Sequence, residues 1–498
     1  MSFVMLFVIG LIVSAITIHL AITLAHRFNV VDQPGGHKLH KSSTPFVGGV
    51  GVFSALLCAL FLLDQQQLFP ASHWSALTLG SLLIFLTGFA DDVWRLSFKF
   101  RFVIQAVAAL LMAFWAGVVL LDLGALAWGL PLQLGMLSIP FTIFATIGVI
   151  NALNMIDGID GLSGTLSLVS LFLISLVALS TGSQAYLILL VVLIGGVVGF
   201  LYYNLRYPTN RTARVFLGDN GSMLLGFLFA WILIDLSQGE QRAMSPVLAL
   251  WFFSVPLMDT VVVMLRRMWL GKSPFHPDRH HLHHLFIRAG FRIQETVYAI
   301  ALLHFLFGFA GLTWARAGAS DVVMLAAFLA AFIVYFYLIQ RPWRFVPVLR
   351  RIHAVLGLPS PDTKGVFIGH CSVQGAALLI ESLTEQMKAS DDYQLAVYKT
   401  TREGSKDSSV YAVIELLTED NDAAAEDAKK LVNTLKKRLQ GRMGIRVRQF
   451  RVRSNPNDRR TGSRETGKER RVSDRRSKHS KILIHTAHGF SQPDAIIA

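Results

Sequence analysis

Apolar residues along this chain fall into a succession of runs of roughly 17–25 positions, each long enough to cross a bilayer as a helix. The runs lie near 3–24, 46–63, 75–90, 102–121, 137–153, 163–180, 185–203, 217–236, 246–265, 295–315 and 321–340. They predict about eleven transmembrane helices, the weakly separated pair at 163–203 being open to a different division. Alternate connections differ sharply in charge. One set carries Arg27, Lys38, Arg95, Lys99, Arg101, Arg206, Arg266, Arg279, Arg288 and Arg341 among others, whereas the other offers only Arg242 and Arg316. The positive-inside rule makes the first set cytoplasmic, with the N-terminus outside and the C-terminus inside. The run at 3–24 has no basic segment before it, so it reads as a retained helix rather than a cleaved signal.

After residue 345 the pattern changes. A linker (346–362) leads to strand-like stretches at 365–368, 393–400, 409–417 and 445–452, with helix-like stretches at 374–388 and 423–439. The order βαββαβ predicts a small ferredoxin-like α+β domain over 363–453, on the cytoplasmic side. The remaining 454–498 is a basic tail, dense in Arg, Ser and Gly, and is expected to be disordered. The fold class is therefore an all-α polytopic membrane protein, residues 1–345, carrying a C-terminal cytoplasmic α+β (ferredoxin-like) domain.

Composition supports this division. The 498 residues are 53% hydrophobic and only 16% charged, which excludes an ordinary soluble enzyme. The formal charge of +14 resides largely in short loops and the tail, so it reports topology and contact with membrane lipid; no nucleic-acid partner is expected. Cys58 lies in an apolar run and Cys371 in the polar C-terminal part, which gives neither a disulfide framework nor zinc spacing.

Five polar clusters all fall on the predicted cytoplasmic side: 32–49 with its Gly-Gly and His-Lys-Leu-His, Asp91-Asp92 followed by Lys99, the stretch Asn151 to Gly164, Phe216 to Ser222, and Asp278 to His284. Polar side chains at a membrane edge are unfavourable unless they serve a site. Asn151 and Asn154 are one helical turn apart, and Asp157 and Asp160 follow among glycines that loosen the backbone around a ligand. Helix capping by Asp157 is the structural alternative, and the repetition of the pattern argues against it. Carboxylates beside basic and imidazole groups suit phosphate chemistry with Mg²⁺, which takes oxygen ligands from one or two protein groups, substrate phosphates and water. Asn154 and Asp219 are plausible ligands from two helices. Arg279, Lys99 and the histidines could neutralise diphosphate oxygens. His280 and His284 have zinc-compatible spacing, but the adjacent Arg279 favours an anion. Phe216 could stack on a nucleobase, although aromatics at membrane edges are common. Asp91 and Asp92 cannot face the same way and should differ in role.

The motifs DD…LS, NALNMIDGIDGLSG, VFLGDNGS and PDRHHLHH, in that order over about residues 1–345, resemble those of the polyprenyl-phosphate N-acetylhexosamine-1-phosphate transferases, a glycosyltransferase 4 type of membrane enzyme. Within that family they look most like the branch using undecaprenyl phosphate and UDP-N-acetylglucosamine. The resemblance implies attack of undecaprenyl phosphate on the β-phosphorus of the UDP-sugar, with Mg²⁺ (Mn²⁺ able to substitute) and release of UMP. Carried onto matching positions, Asp91 and Asp92 are the acceptor-side acids, and Asn154 and Asp219 the metal positions. Asp157 and Asp160 then belong to the nucleotide-side loop, with Asn151 beside it, and Phe216 to the uracil-stacking position. Arg279, His280, His281, His283 and His284 match the loop that grips diphosphate and sugar. Arg95 stands where some relatives carry an acid. The product would prime O-antigen, common-antigen or other surface polysaccharide synthesis at the bacterial inner membrane. A homodimer and a cytoplasmic protein partner for the C-terminal domain are allowed for. Three other readings compete with this one: the same chemistry on another UDP-N-acetylhexosamine or a muramoyl-pentapeptide donor, a transporter of anionic metabolites, and a scaffold. A transporter predicts charges deep in the helices and inverted repeats, and neither is evident. A scaffold leaves the clusters unexplained.

Overall fold

The long apolar runs form helices because a backbone in hydrocarbon must satisfy its own hydrogen bonds. In order these are α1 (Phe3–Arg27), α2 (Gly48–Gln66), α3 (Ala71–Trp94), α4 (Phe98–Trp115), α5 (Ser138–Ile156), α6 (Leu162–Thr181), α7 (Gln184–Asn204) and α8 (Gly218–Ser237). They continue as α9 (Pro246–Phe252), α10 (Ser254–Trp269), α11 (Leu282–Ala289), α12 (Ile293–Arg316), α13 (Asp321–Gln340) and α14 (Pro342–Val355). A two-residue ladder pairs β1 (Val31–Asp32) with β2 (Thr44–Pro45). The computed structural model describes residues 1–28, 31–32, 44–66, 68, 70–127, 129–207, 212–239, 242–269, 271, 273–274, 281–340, 342–358, 364–372, 393–401, 408–416, 446–451 and 479–484.

Among the described residues ten helices are long and apolar enough to cross a membrane, so the protein is a multi-pass membrane protein. An eleventh expected span, 246–265, is a pair: α9 and α10 meet at 83°. Ser245 caps α9 by accepting a hydrogen bond from the Val247 amide, and Pro246 occupies the first turn, where its missing N–H is harmless. Polar side chains take up the break. The Ser170 hydroxyl donates to the Phe252 carbonyl (2.7 Å) and lies 2.8 Å from His304 Nε2, while Ser254 Oγ lies 3.3 Å from His304 Nδ1. A helix can be broken inside a membrane only when freed backbone groups find such partners.

The centre of this unit is α8. Some 94% of its apolar window is buried, against 22% for α1 and 17% for α13, as expected of a helix hydrophobic on every side. Close approach to its first turn is made possible by missing side chains. A Cβ at Gly49 would lie 1.9 Å from Asn220 Oδ1, and one at Gly88 would lie 2.5 Å from the Asp219 carbonyl and the Asn220 backbone. Twenty residues make α8 about 30 Å long, so its ends mark two faces. At the far end Gln238 Oε1 accepts from the amides of Leu121 and Asp122, and Arg242 pairs with Asp122 at 3.4 Å. The near end carries Asp219.

The chain divides into two units at Leu356 and Gly357. The second contains an antiparallel sheet in the order β6-β3-β5-β4-β7, formed by β3 (Lys364–Ser372), β4 (Tyr393–Thr401), β5 (Ser408–Leu416), β6 (Arg446–Arg451) and β7 (His479–Ile484). The four expected strands are β3 to β6; the expected helices at 374–388 and 423–439 lie outside the described residues. The fifth, β7, pairs with β4 from within the stretch read as a structureless tail. It follows the end of the basic run, where Ile482, Leu483 and Ile484 restore strand-forming character.

Candidate active site

The site grows from the end of α3. That helix stops at Arg95, which takes a left-handed conformation (φ 52°) and donates its amide to the Asp91 carbonyl (2.8 Å). Asp91 and Asp92, in the last turn, are about 100° apart around the axis and make different contacts. Asp92 caps α8: its carboxylate accepts the amides of Asp219 (2.9 Å) and Asn220 (3.2 Å) and the Asn220 side-chain amide (2.6 Å). This placement satisfies orphan donors and sets negative charge at the positive end of the helix dipole. Asp91 is buried and accepts a hydrogen bond from Arg101 Nη1 (2.5 Å), the same nitrogen lying 3.8 Å from Asp219 Oδ2.

Asn154, at the end of α5, donates its amide to Asp219 Oδ1 (2.7 Å) and Ser222 Oγ (3.0 Å). The distant asparagine and aspartate singled out in the sequence therefore meet side by side. Asn151 bonds elsewhere, donating to Gln105 Oε1 on α4 (2.7 Å) and to the Ile147 carbonyl. The loop that follows is braced: Asp160 forms a buried ion pair with Arg206 (2.7 Å), and Asn204 accepts the Gly161 amide while donating to the Val215 carbonyl. Asp157 accepts from Ser163 Oγ (2.5 Å). Burial pushes its carboxyl up to about 7; the Ser163 hydrogen bond opposes this, and the charges of Asp92 and Asp160 add to it.

The histidine segment closes on the same loop. Asp259 of α10 accepts from His281 Nδ1 (2.8 Å) and the Leu282 amide (3.0 Å), holding the start of α11. The His281 and His283 rings lie parallel at 5.7 Å, and His284 lies 4.2 Å from His283. His283 is 1% exposed, with neither ring nitrogen hydrogen-bonded among the described residues, and its Nε2 lies 2.6 Å from where a Gly158 side chain would begin. Burial, reinforced by His284 and His281, holds its pKa well below the usual imidazole range, so the ring is neutral. Arg279 and His280 lie outside the described residues. Phe216 is half-buried beside Phe46 (5.9 Å between ring centroids). Its amide donates to Pro45, and its carbonyl accepts the Gly48 amide. Lys99 is exposed on α4. Two residues further on, Arg101 is the base that reaches the acids. In the sequence Arg101 and Arg206 register only as loop charge and Ser222 only as the end of a polar cluster, and Asn204 carries no signal beyond its residue type.

Asp91 and Asp92 both stand close to Asp219, and among the described residues Arg101 is the cation paired to the group. Carboxylates crowded in this way favour added positive charge. Asn154 Oδ1 has no donor among the described residues, and no group of three or more His, Cys, Asp or Glu side chains is arranged there as a complete metal cage. The donor set fits a hard cation that takes one or two protein oxygens and completes its shell with phosphate and water.

The sequence model of glycosyl transferase family 4 matches residues 74–237, the span holding Asp91, Asp92, Asn154 and Asp219. Over 330 residues, 66% of this chain and 89% of the relative, the protein is 36% identical to the undecaprenyl-phosphate alpha-N-acetylglucosaminyl 1-phosphate transferase of Yersinia pestis. The chain belongs to glycosyl transferase family 4. Two relatives of the same name match to a similar extent. That of Salmonella typhi is 36% identical over 340 residues, 68% of this chain and 91% of the relative. That of Haemophilus influenzae is 36% identical over 330 residues, 66% and 92%. For this glycosyl transferase, similarity to all three therefore covers nearly the whole relative and about two thirds of the chain.

Proposed function

We propose that the protein transfers N-acetylglucosamine-1-phosphate from UDP-N-acetylglucosamine to undecaprenyl phosphate. An oxygen of the lipid phosphate bonds to the β-phosphorus, the bond from that phosphorus to the oxygen bridging it to the UMP phosphate breaks, and UMP leaves with the electron pair. The observation that carries this reading is the meeting of Asp91, Asp92, Asn154 and Asp219 around the first turn of α8, in a chain similar to proteins named for this transfer. Asn154 and Asp219 would hold Mg²⁺, or Mn²⁺ in its place, which supplies charge neutralisation to the diphosphate. Arg101, already paired with Asp91, offers a second positive group to the phosphates. Asp92 fixes the height of Asp219 by capping its helix. The lipid phosphate is largely ionised near neutrality, so a strong base is not required, and Asp91 acts by holding Arg101 toward it. Asp157, Asp160 and Phe216 form the nucleotide side, and the histidine segment faces the sugar diphosphate.

The charge pattern of the connections supports a site face turned to the cytoplasm, in a bacterial inner membrane. The order β6-β3-β5-β4 in the second unit supports a ferredoxin-like domain over 363–453, to which a docking or regulatory role is assigned because it carries none of the polar clusters. The test is UMP release by purified protein with undecaprenyl phosphate, Mg²⁺ and a panel of UDP-sugars. Turnover is expected with UDP-N-acetylglucosamine and should vanish in Asp219→Ala. Undiminished turnover of that variant at ordinary Mg²⁺ removes Asp219 from the site.

A further inference from the structure

We propose that Asp259 is a positioning residue of the transfer reaction, acting through the ring of His281. The inference rests on the reading above, in which the histidine segment faces the sugar diphosphate. Asp259 is wholly buried on α10, inside the bent helix pair. An ionisable group at such depth is unfavourable unless fully partnered. Its partners are His281 Nδ1 on Oδ2 (2.8 Å), and the Leu282 amide (3.0 Å) and Tyr335 hydroxyl (2.5 Å) on Oδ1.

These bonds fix more than position. The amide and the hydroxyl both give their hydrogens to Oδ1, which leaves Oδ2 to His281 among the described residues. A carboxylate only accepts, so the hydrogen between them belongs to Nδ1 of His281. The tautomer is then set, and Nε2 is the nitrogen available to a ligand. The ring plane is set as well: it lies parallel to His283 at 5.7 Å, and His283 rests on Gly158, in the loop between Asp157 and Asp160. A continuous series of contacts thus runs from a carboxylate on α10 to the nucleotide-side loop, with Tyr335 of α13 locking its far end. The simpler role for Asp259 is a staple between α10, α11 and α13, which makes no reference to the His281 ring.

A double-mutant cycle on UMP release by the full-length protein separates the two. Asp259→Asn is expected to lower kcat by roughly 10- to 100-fold, by analogy with loss of the carboxylates that orient metal-ligating histidines, and His281→Ala by at least as much. In the His281→Ala background, Asp259→Asn should add little, because the ring it orients is gone. A double variant that loses the product of the two single effects identifies a staple and overturns the proposal. Should Asp259→Asn not accumulate as folded protein, Tyr335→Phe carries the same cycle, with a loss of several-fold that again disappears without His281. Wild-type turnover of His281→Ala would overturn the reading of the histidine segment and this inference with it. A loss in His281→Ala that multiplies with the Asp259 effect overturns this inference alone.

Discussion

Asp157 holds a proton at pH values where an ordinary carboxyl has lost it, and this makes it the residue whose charge state can be read most directly. Its pKa of about 7 compares with about 4 in an unfolded chain. Between those values the native state binds the proton and the unfolded state does not. The contribution of this group to stability is therefore complete below about pH 4, declines as pH rises, and is gone above about pH 7. Asp157→Asn removes the decline. In thermal unfolding of the metal-free protein in detergent, the variant's midpoint relative to wild type is expected to rise from pH 5 to pH 8 and to level off beyond. A constant difference across that range would show that Asp157 titrates normally. At this scale Lys99 and Arg101 show what a sequence does not reveal. Both bases follow the acids closely, but two residues on a helix are about 200° apart, and only the fold shows that Arg101 turns inward.

At the scale of elements the decisive contact is the approach of α2 and α3 to the first turn of α8. Gly88→Ala sets a methyl group 2.5 Å from the Asn220 backbone, where no flexible side chain can yield. Overpacking of this kind costs about 1–3 kcal/mol, and relief requires α3 to move away from Asp219. The variant is expected to unfold at lower temperature and to lose turnover more than tenfold, measured as UMP release by protein that remains folded. The spans themselves were legible because an apolar run near 20 residues has few other uses, and the acid and amide clusters stood out because they interrupt those runs. The break between α9 and α10 was not legible: hydropathy is continuous through 246–265, and the turn at Phe253 carries no glycine. The one available sign was Ser254-Val-Pro256, a helix start written inside a span. Asp259 is a lone acid well inside that run, and no local pattern shows that it meets His281.

For the whole molecule, every described contact among Asp91, Asp92, Arg101, Asn154, Asp157, Asp219 and His281 is made within the first unit, which ends at Leu356. A protein truncated after Leu356 is therefore expected to keep UMP release with undecaprenyl phosphate within about threefold, a change of under about 0.7 kcal/mol in the barrier. Loss of turnover in folded truncated protein would assign part of the chemistry to the second unit. The four strands were visible in that unit as alternating stretches, whereas β7 was not, because a strand lying beyond a long charged segment leaves no local mark of its partner.

One further consequence follows from the enclosure of α8. The helices α1 and α13 are left exposed over most of their length and α8 hardly at all, so strain from a mismatched bilayer is expected on the outer ring. Reconstitution into short-chain and long-chain phosphatidylcholine should shift the melting temperature while leaving kcat nearly level. A level kcat would mean that the chemistry is insulated from the bilayer, so that a membrane whose thickness changes with growth conditions is served without retuning it.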